Sequence, residues 1–148
     1  MPTGCVTKLR RQGAIRTTTN KDQRGSYARV NGLDLYYEIH GSGQPLVVLP
    51  GSFWTIEAMG ELVRELALSR RVIAVELQGH GHTTDIERPL RYEWLANDIA
   101  ALIRHLGLAQ ADLFGYSLGG GVALQTGTRR WCASWRWQGT GFAASSRP

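Results

Sequence analysis

The sequence predicts an α/β fold: a mostly parallel sheet with an N-terminal antiparallel hairpin, truncated after the helix that follows a sharp Gly-Ser-Gly turn. Three observations carry this expectation. Leu46–Leu49, Val72–Val75 and Ala111–Phe114 are short apolar runs without alternation, as in strands buried on both faces. Two stretches between them show the three- and four-residue apolar step of amphipathic helices. Ahead of them, Asn31-Gly32 separates two β-rich runs, a strong local signal for a two-residue hairpin turn.

In chain order, Tyr27–Val30 and Leu33–Ile39 are the two hairpin strands. His40 to Pro45 is a Gly-rich turn cluster, and Leu46–Leu49 then runs into Pro50-Gly51-Ser52-Phe53. A loop at the carboxyl end of a buried strand is where open α/β sheets bind ligands. Ile56, Met59, Leu62, Val63 and Leu66 form one stripe of a helix over Thr55 to Leu68. After Val72–Val75, residues Glu76 to Thr83 make a Gly-rich loop at the same end of the sheet. Leu95, Ile99, Leu102, Ile103 and Leu106 trace a second helix from about Tyr92 to Leu106, closed by Gly107. Ala111–Phe114 returns to the sheet, and Gly120–Gln125 reads as the start of a third helix. Strands alternating with helices of this length imply right-handed crossovers onto a parallel sheet.

A chain of 148 residues suffices for one domain with a real core. Its charge divides it into three parts. Residues 1–25 carry +5, residues 129–148 carry +4, and the middle, 26–128, carries −4. The folded part is therefore acidic, and the overall +5 belongs to two tails expected to be unstructured. That distribution argues against a nucleic-acid partner. Cys5 and Cys132 give neither a disulfide framework nor a metal spacing. With no long apolar run and no signal-peptide pattern, the expectation is a soluble cytoplasmic protein with no membrane partner, no metal and no cofactor.

The chemistry is concentrated at Gly115-Tyr116-Ser117-Leu118-Gly119. Between a strand and a helix, such a turn pushes the Ser out of the backbone while the N–H groups of the helix start face whatever its oxygen attacks. Gly115 and Gly119 have a steric task, because so tight an apex leaves no room for side chains beside it. Ser117 is thus the candidate catalytic nucleophile. His80 and His82 sit on a loop at the same end of the sheet, but two His without a third placed ligand make a weak metal site.

With these motifs in this order, the chain resembles the α/β-hydrolase superfamily over about residues 26–128. Leu-Val-Val-Leu-Pro-Gly-Ser at 46–52 looks like its oxyanion strand, Glu76 to Thr83 like its D-x-x-G-x-G-x-S loop, and Gly115 to Gly120 like its G-x-S-x-G-G elbow. The resemblance is to the serine esterase, lactonase and C–C hydrolase group. It implies attack by Ser117 on an ester, lactone or similar carbonyl of a small acyl substrate through an acyl-enzyme. It also implies an oxyanion hole from the backbone N–H groups of Leu118 and Ser52, with Phe53 as the alternative to Ser52. Pro50 and Glu76 depart from the family's usual His and Asp and are expected to alter how the loops are braced.

The family's acid and His follow the elbow, and no His, Asp or Glu follows Ser117 here. The expectation is therefore a partial domain with little or no activity. The alternative is a non-catalytic fragment or interaction module using its basic tails or an exposed sheet edge. Residues 129–148 hold three of the five Trp and no Ile, Leu or Val, and read as out-of-frame translation. Without a following strand, Ala111–Phe114 is expected to be an exposed sheet edge prone to self-association.

Overall fold

The computed structural model describes residues 25–127 together with two short strands at 135–138 and 141–144. The basic extension expected over residues 1–25 lies, but for Gly25, outside the described residues. Strands β1 (Ser26–Val30) and β2 (Leu33–His40) form the N-terminal hairpin, with Val30 opposite Leu33. Asn31 and Gly32 both adopt positive φ, 49° and 85°, the conformation a two-residue hairpin turn requires. Next come β3 (Pro45–Leu49), α1 (Gly60–Ala67), β4 (Arg71–Val75), α2 (Tyr92–His105), β5 (Asp112–Gly115) and α3 (Leu118–Gly127).

The sheet order is β1-β2-β4-β3-β5, then a C-terminal hairpin. β2 runs antiparallel to β4, and the parallel part is the central trio β4-β3-β5. Successive residues of these strands feed two cores. Val47, Leu49, Ile73, Val75 and Leu113 pack with Leu95, Ile99, Leu102 and Val122 of α2 and α3. Leu46, Val48, Val72 and Ala74 pack on the other face with Met59 and Val63. Burial on both faces is what the unbroken apolar runs required.

Two expectations change. The helix expected over Thr55 to Leu68 begins as a short 3-10 turn, Glu57–Met59, and becomes α-helical only at Gly60. Met59, at φ −97° and ψ 6°, falls outside helical dihedrals and divides the two parts, although the apolar stripe runs through both. The expected exposed edge at Ala111–Phe114 is also corrected. Within the stretch expected to be an unstructured tail, β6 (Trp135–Gln138) and β7 (Gly141–Ala144) pair with each other, and β7 runs antiparallel along β5 from Leu113 to Gly115. The free backbone groups of β5 on that side find partners there, which removes the edge on which self-association rested.

Tyr36 of β2 is buried, bonds Glu38 Oε1 through its hydroxyl at 2.9 Å, and stacks on His82. Burial first, and Glu38 second, push its phenol up from 10.0 to about 12. The folded chain therefore holds this proton more tightly than the unfolded chain does. The resulting stabilisation is complete below pH 10 and is lost as pH rises through about 12. Urea midpoints measured from pH 9 to pH 12 should fall less steeply for Tyr36→Phe than for the native chain. Equal slopes would contradict this assignment.

Candidate active site

β5 ends at Gly115 and α3 begins at Leu118, leaving two residues for the whole reversal. Ser117 takes φ 51°, a conformation costly for a residue with a side chain, and stands exposed at the apex. The turn is held by Tyr116 N–H donating to Leu49 O (3.2 Å) and Gly119 N–H donating to Tyr116 O (2.9 Å). Both flanking glycines are sterically required. A Cβ at Gly115 would overlap the backbone of Gly119 and Gly120, and one at Gly119 would overlap the carbonyl oxygens of Leu49 and Pro50. These contacts press the start of α3 against the end of β3.

The loop after β3 comes to the same place. A Cβ built on Gly51 would lie 3.6 Å from Ser117 Cβ and 3.0 Å from Tyr116 Cδ1. Gly51–Trp54 closes as a turn, with Trp54 N–H donating to Gly51 O at 3.2 Å. Phe53 occupies its third position at φ 63° with its ring 95% exposed. Its ring is tilted over that of His80, 6.2 Å between centroids, and since such a position favours Gly or Asn, nothing in the sequence announces it. Trp54 stacks on Tyr116 at 4.9 Å between ring centroids, joining this loop to the elbow. Leu118, as the first residue of α3, has no intrahelical acceptor for its N–H. Leu118 and Ser52 line a common cavity of about 320 Å³ with Phe53, His80, Leu90, Tyr92 and Leu95.

The upstream histidines are divided among different surroundings. His80 is buried on the wall of that cavity, with Nδ1 bonded to Gln78 O at 2.8 Å. His82 turns to Glu76, with Nδ1 3.0 Å from Oε2, and lines a second cavity of about 550 Å³ together with His40. His40 in turn pairs with Glu38 at 2.9 Å. His105 is exposed at the end of α2. Among the described residues no His side chain hydrogen-bonds to Ser117, and no group of three His, Cys, Asp or Glu is arranged to hold a metal.

Two supporting groups frame the site: Glu76, whose effect on loop bracing the sequence suggests, and Arg88, which the sequence does not reveal. The buried Glu76 carboxylate accepts from Ile56 N–H (3.1 Å) and His82 N–H (2.5 Å), bracing the loops after β3 and β4. Arg88 forms a buried pair with Asp98 of α2 and donates to Gln78 Oε1 at 2.6 Å, while Asn31 of the hairpin turn donates to Asp98 at 2.9 Å. This network locks the loop after β4, which carries His80, to α2 and β1-β2. Only the fold brings its members together, so no spacing in the chain could reveal it.

A family model described as "Alpha/beta hydrolase family" matches residues 39–145. Soluble epoxide hydrolase of Corynebacterium sp. (strain C12) is 34% identical over 99 residues, covering 65% of this chain and 34% of that protein. Pimeloyl-[acyl-carrier protein] methyl ester esterase of Stenotrophomonas maltophilia (strain R551-3) is 36% identical over 92 residues, covering 61% and 33%. Among solved structures, the enol-lactonase from Burkholderia xenovorans LB400 superposes with a TM-score of 0.65 at 31% identity, covering 70% of this chain and 42% of that one. The matched part spans about a third of the length of these curated relatives. No helix among the described residues is long and apolar enough to cross a membrane.

Proposed function

This chain belongs to the alpha/beta hydrolase family, and from that membership we propose that Ser117 is the nucleophile of a serine hydrolase acting on a small ester, lactone or similar carbonyl. The observation that carries this reading is the strained elbow, which presents an exposed Ser117 at φ 51° between two glycines that tolerate no side chain. Ser117 Oγ attacks the carbonyl carbon as its proton passes to a solvent base, the negative charge collects on the carbonyl oxygen, and the N–H groups of Leu118 and Ser52 stabilise it. Each such donor is worth on the order of 10²–10³ in rate. The alkoxide then leaves and takes up a proton, and the acyl group stays on Ser117 until water removes it.

Both steps need a proton acceptor, because a free Ser hydroxyl is a poor nucleophile near neutral pH. For these 148 residues taken alone, the reading is acylation by an activated ester with little steady turnover. p-Nitrophenyl acetate supplies a leaving group that needs little help from a base. The native chain should release a burst of p-nitrophenol scaling with protein concentration, and Ser117→Ala should release none above the solvent rate. Equal traces from the two proteins would contradict the proposal and favour a binding module.

A further inference from the structure

The two backbone donors assigned to the oxyanion belong to separate segments: Leu118 opens α3, and Ser52 lies in the turn Gly51–Trp54 after β3. Both can stabilise one oxygen only if the gap between them is fixed beforehand. Hydrogen bonding and close packing tie the elbow to Leu49 and Pro50 at the end of β3. The turn that follows is strained, with Phe53 at φ 63°, and such a conformation persists only where neighbouring contacts hold it. That turn meets the elbow through the ring of Tyr116. The ring lies over Gly51, where a Cβ would come within 3.0 Å of its Cδ1, and stacks on Trp54 with 4.9 Å between centroids and 20° between planes. The residue directly before Ser117 therefore grips the turn on both sides of Ser52.

We propose that Trp54 and Tyr116 are positioning residues, whose stack sets the Ser52 N–H at the distance from the Leu118 N–H that a single anionic oxygen can bridge. The inference rests on the reading of Leu118 and Ser52 as the oxyanion donors of Ser117. The two rings act through the turn and take no part in bond making. They stay 41% and 43% exposed, so filling the core is not their task, and replacing one disturbs the site more than the fold. Farther along the same loop, Ile56 N–H is held by the Glu76 carboxylate at 3.1 Å, which ties the loop to the end of β4. With the stack gone, that tie remains, but nothing in it refers the Ser52 N–H to the elbow.

The test uses methylphosphonate, a tetrahedral anion, added to the Ser117→Ala chain while the amide nitrogen resonances of Ser52 and Leu118 are followed. Both should move together. With Trp54→Leu added, Leu118 should still respond, the Ser52 response should be lost, and affinity should fall on the order of tenfold, as for one lost bond to a charged group. Tyr116→Leu should do the same from the other side, and the two changes together should cost no more than either alone. Trp54→Phe, which keeps a ring to stack, should restore the Ser52 response. A Ser52 amide that still moves in Trp54→Leu, one that never moves in Ser117→Ala, or equal loss at Leu118 would overturn the inference. Tyr116→Leu decides the matter if Trp54→Leu does not fold. A stack-dependent Ser52 response without a p-nitrophenol burst in the native chain would keep the positioning and remove the nucleophile reading. A burst with a Ser52 response indifferent to Trp54 would do the reverse.

Discussion

Arg88→Met is expected to lower the unfolding free energy by about 3–5 kcal/mol, the cost of leaving one member of a buried ion pair alone. Asp98 is almost fully buried, its side chain only 2% exposed, and it faces Arg88 and Asn31. Without the guanidinium its charge would keep, among the described residues, one amide donor. Gln78 would lose a bond as well, while keeping Asp85 as an acceptor at 2.6 Å. For a domain of this size the loss is a large part of the whole stability. The double variant Arg88→Met/Asp98→Leu should recover much of it, because removing both charges also removes the desolvation cost that their attraction offsets. Urea unfolding of the two variants checks this. A single variant within about 1 kcal/mol of the native chain would mean that Asp98 is solvated and the pair contributes little.

Gly119→Ala carries the second large effect, and it reaches both fold and site. The added methyl would overlap the carbonyl oxygens of Leu49 and Pro50, and neither backbone atom can rotate aside as a flexible side chain would. The start of α3 must then move away from the end of β3. Overpacking of this kind costs about 1–3 kcal/mol and occasionally more. A displacement of about 1 Å at the nucleophile can cost on the order of 10² in rate, so the p-nitrophenol burst should be lost even where the chain still folds. Gly60→Ala is the matched control. Among the described residues no neighbour beyond its own helix lies within 4 Å of its added methyl and its φ is −55°, so stability should hold or rise slightly and the burst should persist.

How far the sequence reveals this molecule depends on whether a feature is local. The strands and α2 are legible because each buries a face set by its own spacing: Leu46–Leu49 buries both faces, and Leu95, Ile99 and Leu102 bury one. The elbow is legible because its glycines are dictated by contacts within a few residues and with one neighbouring strand. The break at Met59 is hidden, since the apolar stripe crosses it without change. Phe53 is hidden for the opposite reason, being the wrong residue type for its backbone conformation. The pairing of β7 with β5 could not be foreseen, because Gly141–Ala144 contains no β-branched residue and has no alternating pattern. Glu76 and Arg88 draw their meaning from partners that only the fold brings to them.

On the proposed reading, the elbow singles out one serine for attack. This is tested most directly by treating the native chain with a fluorophosphonate, which loses fluoride to an exposed nucleophilic oxygen, and mapping the adduct by peptide mass. Ser52 is exposed in the neighbouring turn and provides an internal comparison. One adduct is expected, on the peptide carrying Ser117, absent from Ser117→Ala and abolished when the chain is unfolded in urea. An adduct on Ser52 instead, or labelling of Ser117 that survives unfolding, would contradict it.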